Sequence, residues 1–148
     1  MSMPRIAFVE PCGAPSNVFS KFMTIPLLGP VYLATMASDA GYDVTILNEN
    51  ILNRHICPAD LRDIDVLCLS CLTATVKRGM EIADLYRRVR HCDGNQSRVI
   101  IGGIHASMLP HEVQPSVDTV VTGEAESVFL DILANRTSKP IVHGEALK

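Results

Sequence analysis

The 148 residues carry no surplus of charge: thirteen Lys and Arg stand against sixteen Asp and Glu, a formal net charge of −3. No basic block occurs, so the electrostatic footprint of a nucleic-acid-binding surface is missing and nucleic acid is excluded as a partner. No apolar run approaches the ~20 residues of a membrane helix, and Met1 to Arg5 leads into a strand-like run without a secretory leader. The expectation is a soluble, cytoplasmic protein with no membrane partner. The five cysteines (Cys12, Cys57, Cys68, Cys71, Cys92) are odd in number and mostly embedded in apolar runs, which suits buried reduced thiols better than a disulfide framework. Also missing are G-x-G-x-x-G after the first strand-like run, G-x-x-x-x-G-K-[ST] and G-x-S-x-G. Dinucleotide, triphosphate and hydrolase chemistries therefore lack their backbone cradle or nucleophile. A phospho-receiver fails as well, because the places of its acidic cluster, aspartate and lysine hold Glu10, Ser70 and Thr122.

What is present is one domain's worth of chain with 47% hydrophobic residues against 20% charged, enough to build a core with little self-repulsion. Five short apolar runs, Ile6 to Val9, Val44 to Leu47, Val66 to Leu69, Val99 to Ile101 and Thr119 to Val121, read as strands. They are continuous, not alternating, as expected of a parallel sheet covered on both faces. Helical periodicity fills the gaps. Leu33, Met36, Ala37 and Ala40 share a face, with Gly41 as the left-handed stop, which predicts a helix over Gly29 to Ala40. A longer helix begins at Val76, with Lys77, Arg87, Arg88 and Arg90 facing out. A short one over Ser107 to Val113 is broken by Pro110, and a last one spans Glu124 to Ala134. The alternation predicts an α/β fold: a doubly wound, five-stranded parallel sheet of flavodoxin-like order 2-1-3-4-5 in three α/β/α layers.

In such a fold, ligands sit at the carboxyl ends of the strands near the switch point, so those loops matter most. The stretch Glu10 to Leu28 is long and irregular, and its apolar members Val18, Phe19, Phe22, Met23, Ile25, Leu27 and Leu28 need a bulky cover. Three adjacent strand ends carry small residues: Ser70-Cys71-Leu72, Gly102-Gly103 and Gly123-Glu124. Glycine pairs let backbone approach a flat ligand closely, although a tight strand-to-loop bend would use them too. The C-x-x-C spacing of Cys68 and Cys71 has no second pair to complete a zinc site, and reads as two core thiols.

This constellation resembles the cobalamin-binding domain of B12-dependent enzymes, whose pattern is D-x-H-x-x-G, then S-x-L, then G-G. Residues 70–72 read S-x-L, Gly102-Gly103 supply the glycine pair at the family's interval, and Gly29 falls where the first motif's glycine belongs. Thr24-Ile25-Pro26-Leu27-Leu28-Gly29 then occupies the D-x-H-x-x-G window, with Pro26 in place of the cobalt-ligating histidine and Thr24 in place of its aspartate. Gly102-Gly103-Ile104-His105, followed by Pro110, Glu112, Asp118, Val120-Val121 and Gly123-Glu124-Ala125-Glu126, looks like the amino-terminal B12 domain of cobalamin-dependent radical S-adenosylmethionine (SAM) proteins, which commonly lacks that histidine.

The resemblance implies cobalamin as cofactor, with its base off cobalt and its nucleotide tail inserted into the domain. Ser70, Leu72 and neighbouring Thr73 would border the tail slot, Gly102 and Gly103 would give the base room, and Gly123 and Glu124 would edge it. Thr24, Ile25, Pro26, Leu27 and Gly29 would form the loop beneath the corrin, and no protein side chain would ligate cobalt. His105 follows the glycine pair and could reach the tail; as a cobalt ligand it competes with a plain hydrogen-bonding role. Cys12 could be a thiolate ligand or part of a turn. Residues 1–138 would form the domain and 139–148 the start of a linker to a radical SAM domain, the partner. That partner would hold the 4Fe-4S cluster and S-adenosylmethionine, since this chain has no C-x-x-x-C-x-x-C. No residue of this chain is then catalytic. Two other readings remain: a regulatory or docking module that keeps the fold without cobalamin, and a flavin carrier using Ser16, Asn17 and Ser20.

Overall fold

In the computed structural model, which describes residues 2–16 and 24–148, the five apolar runs are parallel strands: β1 (Arg5–Glu10), β2 (Asp43–Asn48), β3 (Val66–Ser70), β4 (Val99–Gly102) and β5 (Thr119–Gly123). Of the long first loop, Val18, Phe19, Phe22 and Met23, and the flavin candidates Asn17 and Ser20, lie outside the described residues. The expected order is kept, but the count of five is corrected to six. A further strand, β6 (Ile141–Gly144), pairs with β5 from Val120↔Ile141 to Gly123↔Gly144, giving β2-β1-β3-β4-β5-β6. It falls within the stretch expected as linker, and it has four residues of which only two are apolar, too little to register as a strand signal.

Successive strand residues point to opposite faces, and each face has its own core. Ala7, Val9, Leu67, Leu69, Val99, Ile101 and Val120 pack beneath α3 (Pro58–Leu61), α4 (Val76–Cys92), α5 (Ile104–Met108) and α6 (Pro110–Val113). Ile6, Phe8, Val66, Cys68, Ile100 and Val121 pack beneath α1 (Leu28–Asp39) and α7 (Phe129–Leu133). A short α2 (Glu49–Leu52) lies in the irregular stretch after β2, capped by the Asn48 side chain, which accepts from the backbone N–H groups of Asn50 and Ile51.

Four helix expectations change in detail, one being the short helix expected over Ser107 to Val113, which begins at Ile104 and is divided into α5 and α6 around Leu109. α1 runs one residue earlier than predicted, with Gly41 at φ +96° turning the chain into β2 as expected. Arg90 faces inward, contrary to its predicted exposure. Its guanidinium donates to the Gln96 and Arg62 carbonyls and to Asp65, so its donors are satisfied where it is buried. The last helix is split into a 3-10 turn, Ala125–Ser127, and α7. The Glu124 N–H donates to Gly144 O, which ties that residue to the β6 strand instead of to a helix.

Candidate functional site

Where β1, β3, β4 and β5 approach their carboxyl ends, the sheet and helices α1 and α7 do not close on each other. They leave a cleft of about 210 Å³. Its deep wall is apolar: Phe8, Cys68 and Ile100 from neighbouring strands, and Phe129 from α7, whose ring packs at 5.5 Å from that of Phe8. Its mouth is built from Gly29, Ser70, Gly102, Gly103, Gly123 and Glu124. The volume is below the roughly 300–1,000 Å³ of sites that engulf a drug-sized ligand. The cleft therefore suits a ligand's apolar appendage, with the bulk of the ligand outside.

The four mouth glycines are present for two different reasons. Gly103 (φ +101°) and Gly123 (φ +72°) hold backbone conformations that L residues rarely adopt, and a Cβ on Gly103 would stand 2.6 Å from the Cys71 carbonyl oxygen. A Cβ on Gly123 would run into the Gly144 carbonyl. Those two are demanded by the fold. Gly29 and Gly102 are not: among the described residues, a Cβ on Gly29 would meet nothing within 4 Å, and one on Gly102 only the Val121 oxygen at 3.8 Å, an ordinary contact. At both places the missing side chain leaves open space that belongs to the cleft.

Ser70 is shared with a second, smaller cleft of about 40 Å³, whose walls include Ile25, Leu27 and Leu72 together with Glu10 and Asn48. Buried Glu10, the last residue of β1, accepts the Leu27 N–H at 2.7 Å and the Asn48 side-chain amide at 2.5 Å. Next to it, Glu49 accepts the backbone N–H groups of Cys12 at 3.1 Å and Ile56 at 2.8 Å and receives the Arg78 guanidinium at 2.7 Å. Burial by itself would raise the Glu49 carboxyl, but Arg78 and the two amides prevail and hold it near 2.

The structure thus brings Gly29, Ser70, Gly102, Gly103, Gly123 and Glu124 to one opening, and Ile25, Leu27 and Leu72 to its neighbour. Thr24 lines a third, polar recess, while Pro26 is exposed between Ile25 and Leu27. Thr73 and His105 lie elsewhere. His105 is 3% exposed among the α5-side residues, its Nδ1 lies 3.3 Å from the exposed Thr73 hydroxyl, and its buried Nε2 has no hydrogen-bond partner among the described residues, with Glu112 at 3.6 Å. Cys68 and Cys71 belong to opposite cores, so they cannot converge on one metal, and burial pushes both thiols up to about 12. Among the described residues, Cys12, Glu49 and His55 place possible ligand atoms within 4.8 Å of one another. The Glu49 carboxylate is already occupied by Arg78, however, and burial with the Glu49 hydrogen bond pushes the Cys12 thiol up to about 11. That set is a hydrogen-bonded support and a poor cation site.

Sequence reasoning missed the deep wall and the Glu10-Asn48-Glu49 group. The signal for the wall is the period-2 alternation that puts Phe8, Cys68 and Ile100 on one face; the signal for the polar group is that β1 and β2 both end in buried polar residues at the same edge.

The B12 binding domain family matches residues 22–133 of the chain. Two curated relatives come from Chlorobaculum tepidum. One, a bacteriochlorophyllide d C-12(1)-methyltransferase, is 30% identical over 105 residues, which cover 71% of this chain and 21% of the relative. The other, a bacteriochlorophyllide d C-8(2)-methyltransferase, is 32% identical over 80 residues, covering 52% of this chain and 16% of the relative. The chain therefore spans about a fifth of the length of these relatives or less. Among solved structures, the cobalamin-dependent S-adenosylmethionine radical enzyme OxsB, with aqua-cobalamin and S-adenosylmethionine bound, shares the fold at a TM-score of 0.68. It is 20% identical, and the match covers 90% of this chain and 19% of that one. With the family matched from the first loop to the end of α7, and with an apolar, glycine-mouthed cleft at the strand ends, this chain belongs to the B12 binding domain family.

Proposed function

We propose that this domain holds cobalamin, base-off and without a histidine ligand, for a radical SAM enzyme of methyltransferase or cyclase type, and that it catalyses nothing alone. The observation that carries the reading is the pair of glycines, Gly29 and Gly102, whose absent side chains leave the cleft open although, among the described residues, no neighbour requires glycine at either place. The residues present fit the group. An apolar wall of Phe8, Cys68, Ile100 and Phe129 would take the flat nucleotide base, and the Ser70 hydroxyl at the mouth would offer the tail a hydrogen bond. Bound cobalamin would supply a cobalt centre able to carry a methyl group. Pro26, with Ile25 and Leu27, would present a surface with no imidazole to the lower side of the corrin, leaving cobalt without a donor from this chain. The relatives' greater length supports a radical SAM domain downstream as the partner that holds the 4Fe-4S cluster and S-adenosylmethionine, with the residues after β6 as the linker.

The test is a titration of the 148-residue chain with hydroxocobalamin, followed by visible spectroscopy and gel filtration. Corrinoid that co-elutes with the protein and shows a base-off spectrum is the expected result. Gly102→Leu, which fills the cleft with a side chain, should weaken binding by at least about tenfold with little change in melting temperature. A folded wild-type domain that retains no corrinoid, or a Gly102→Leu variant that binds like wild type, overturns the reading.

A further inference from the structure

We propose that Glu10 is a positioning residue that sets the loop beneath the corrin, with Asn48 as its fixed partner; this rests on the cobalamin reading above. Three observations carry it. In the β1–β2 register Glu10 lies opposite Asn48, so the two polar side chains that end these strands meet at 3% and 6% exposure. The two Glu10 oxygens are divided, one accepting the Leu27 N–H and the other the Asn48 amide. Asn48 cannot turn over, because its own oxygen accepts the backbone N–H groups of Asn50 at 2.9 Å and Ile51 at 3.1 Å and so caps α2. Glu10 is therefore held from the sheet side by a donor of fixed orientation, and it passes that constraint to Leu27, which lines the smaller cleft with Ile25 and directly precedes α1 and its Gly29. Glu49 restrains Cys12 by the same means. The Leu27 end of the loop is thus tethered before any ligand arrives, which spares part of the entropy of ordering it on binding.

The arrangement makes an isosteric substitution informative. Glu10→Gln keeps the shape but offers one acceptor where two donors converge, so either Leu27 or Asn48 loses its partner. Glu10→Gln combined with Asn48→Asp restores the complement: the Gln oxygen accepts from Leu27, its amide donates to one Asp oxygen, and the other Asp oxygen caps α2. Amide hydrogen exchange at Leu27 in the cofactor-free 148-residue chain is measured beside the affinity for hydroxocobalamin, with thermal melts to verify folding. The expected result is faster Leu27 exchange and at least about tenfold weaker binding in Glu10→Gln, with both returning toward wild type in the double variant. Faster exchange with unchanged affinity overturns the proposal, as does a folded double variant that restores neither. If wild type binds no corrinoid, the cobalamin reading fails and takes the positioning role with it, a result told apart by an exchange order that still follows the hydrogen bonds.

Discussion

Two glycines near helix starts, one on each face of the sheet, show how differently the two faces are built. On α4, Gly79 is where helix and strand end touch: a Cβ there would meet the Cys71 sulfur at 2.5 Å and Pro11 at 3.5 Å. On α1, a Cβ on Gly29 would meet nothing within 4 Å among the described residues. The α4 face is filled, with Ile82, Tyr86, Leu61 and Leu67 wholly buried and the Tyr86 hydroxyl donating to the carbonyl oxygens of Ile64 and Asp65. The α1 face is covered by a helix whose buried residues are only Pro30, Ala34 and Ala37 and by the five-residue α7. Both faces hold a core, but the α1 face leaves part of its packing open at the strand ends.

That contrast can be broken at several strengths. The largest effect belongs to Arg78→Ala on the filled face, which strands the buried Glu49 carboxylate; it should lower stability by about 3–5 kcal/mol in urea melts at neutral pH. The pH dependence comes next. Glu49 titrates at about 2 in the folded chain against an ordinary value of 4.5, so its contribution is complete above about 4.5 and is lost as pH falls toward 2. Roughly 3 kcal/mol should disappear over that window, and Glu49→Gln should flatten the acid limb of the stability profile. Gly79→Ala is smaller, because ~1–3 kcal/mol of overpacking is partly offset by the ~1 kcal/mol that alanine gains as a helix former; a net loss of about 1 kcal/mol should appear in thermal melts. Gly29→Ala should have the opposite sign. With open space around it, the variant should melt slightly higher, by up to about 1 kcal/mol, yet bind corrinoid less well. If both glycine variants destabilise alike, the two faces are not built differently.

Much of this architecture was legible because burial on both faces makes a parallel strand a continuous apolar run, as in Ile6 to Val9 and Val66 to Leu69, and because alternation with helices restricts the topology. β6 was not legible: Ile141-Val142-His143-Gly144 becomes a strand only because β5 offers it an edge. Arg90 misled for a similar reason, since its acceptors are supplied by Gln96, Arg62 and Asp65 through the fold. At the site, the mouth could be read from small residues at successive strand ends, whereas the wall could not, because Phe8, Cys68 and Ile100 look like any other core. The Glu10-Asn48 contact depends on strand register, a property of two segments 38 positions apart. His105, two residues past Gly103, is not among the cleft's lining residues; the first turn of α5 sets it against Thr73 and Glu112.

An opening bordered by main chain behaves unlike one bordered by side chains. A ring of leucines could rotate inward to fill a vacancy, but Gly102 and Gly103 have nothing to swing, and the ladder joining Ser70 to Gly102 fixes their spacing. That stretch of the rim therefore has no rotamers to freeze on filling, unlike the deep wall of Phe8, Ile100 and Phe129. A rim built this way keeps its spacing whether or not anything occupies the cleft, and with no side chain at Gly102 or Gly103 it adds little chemical discrimination of its own.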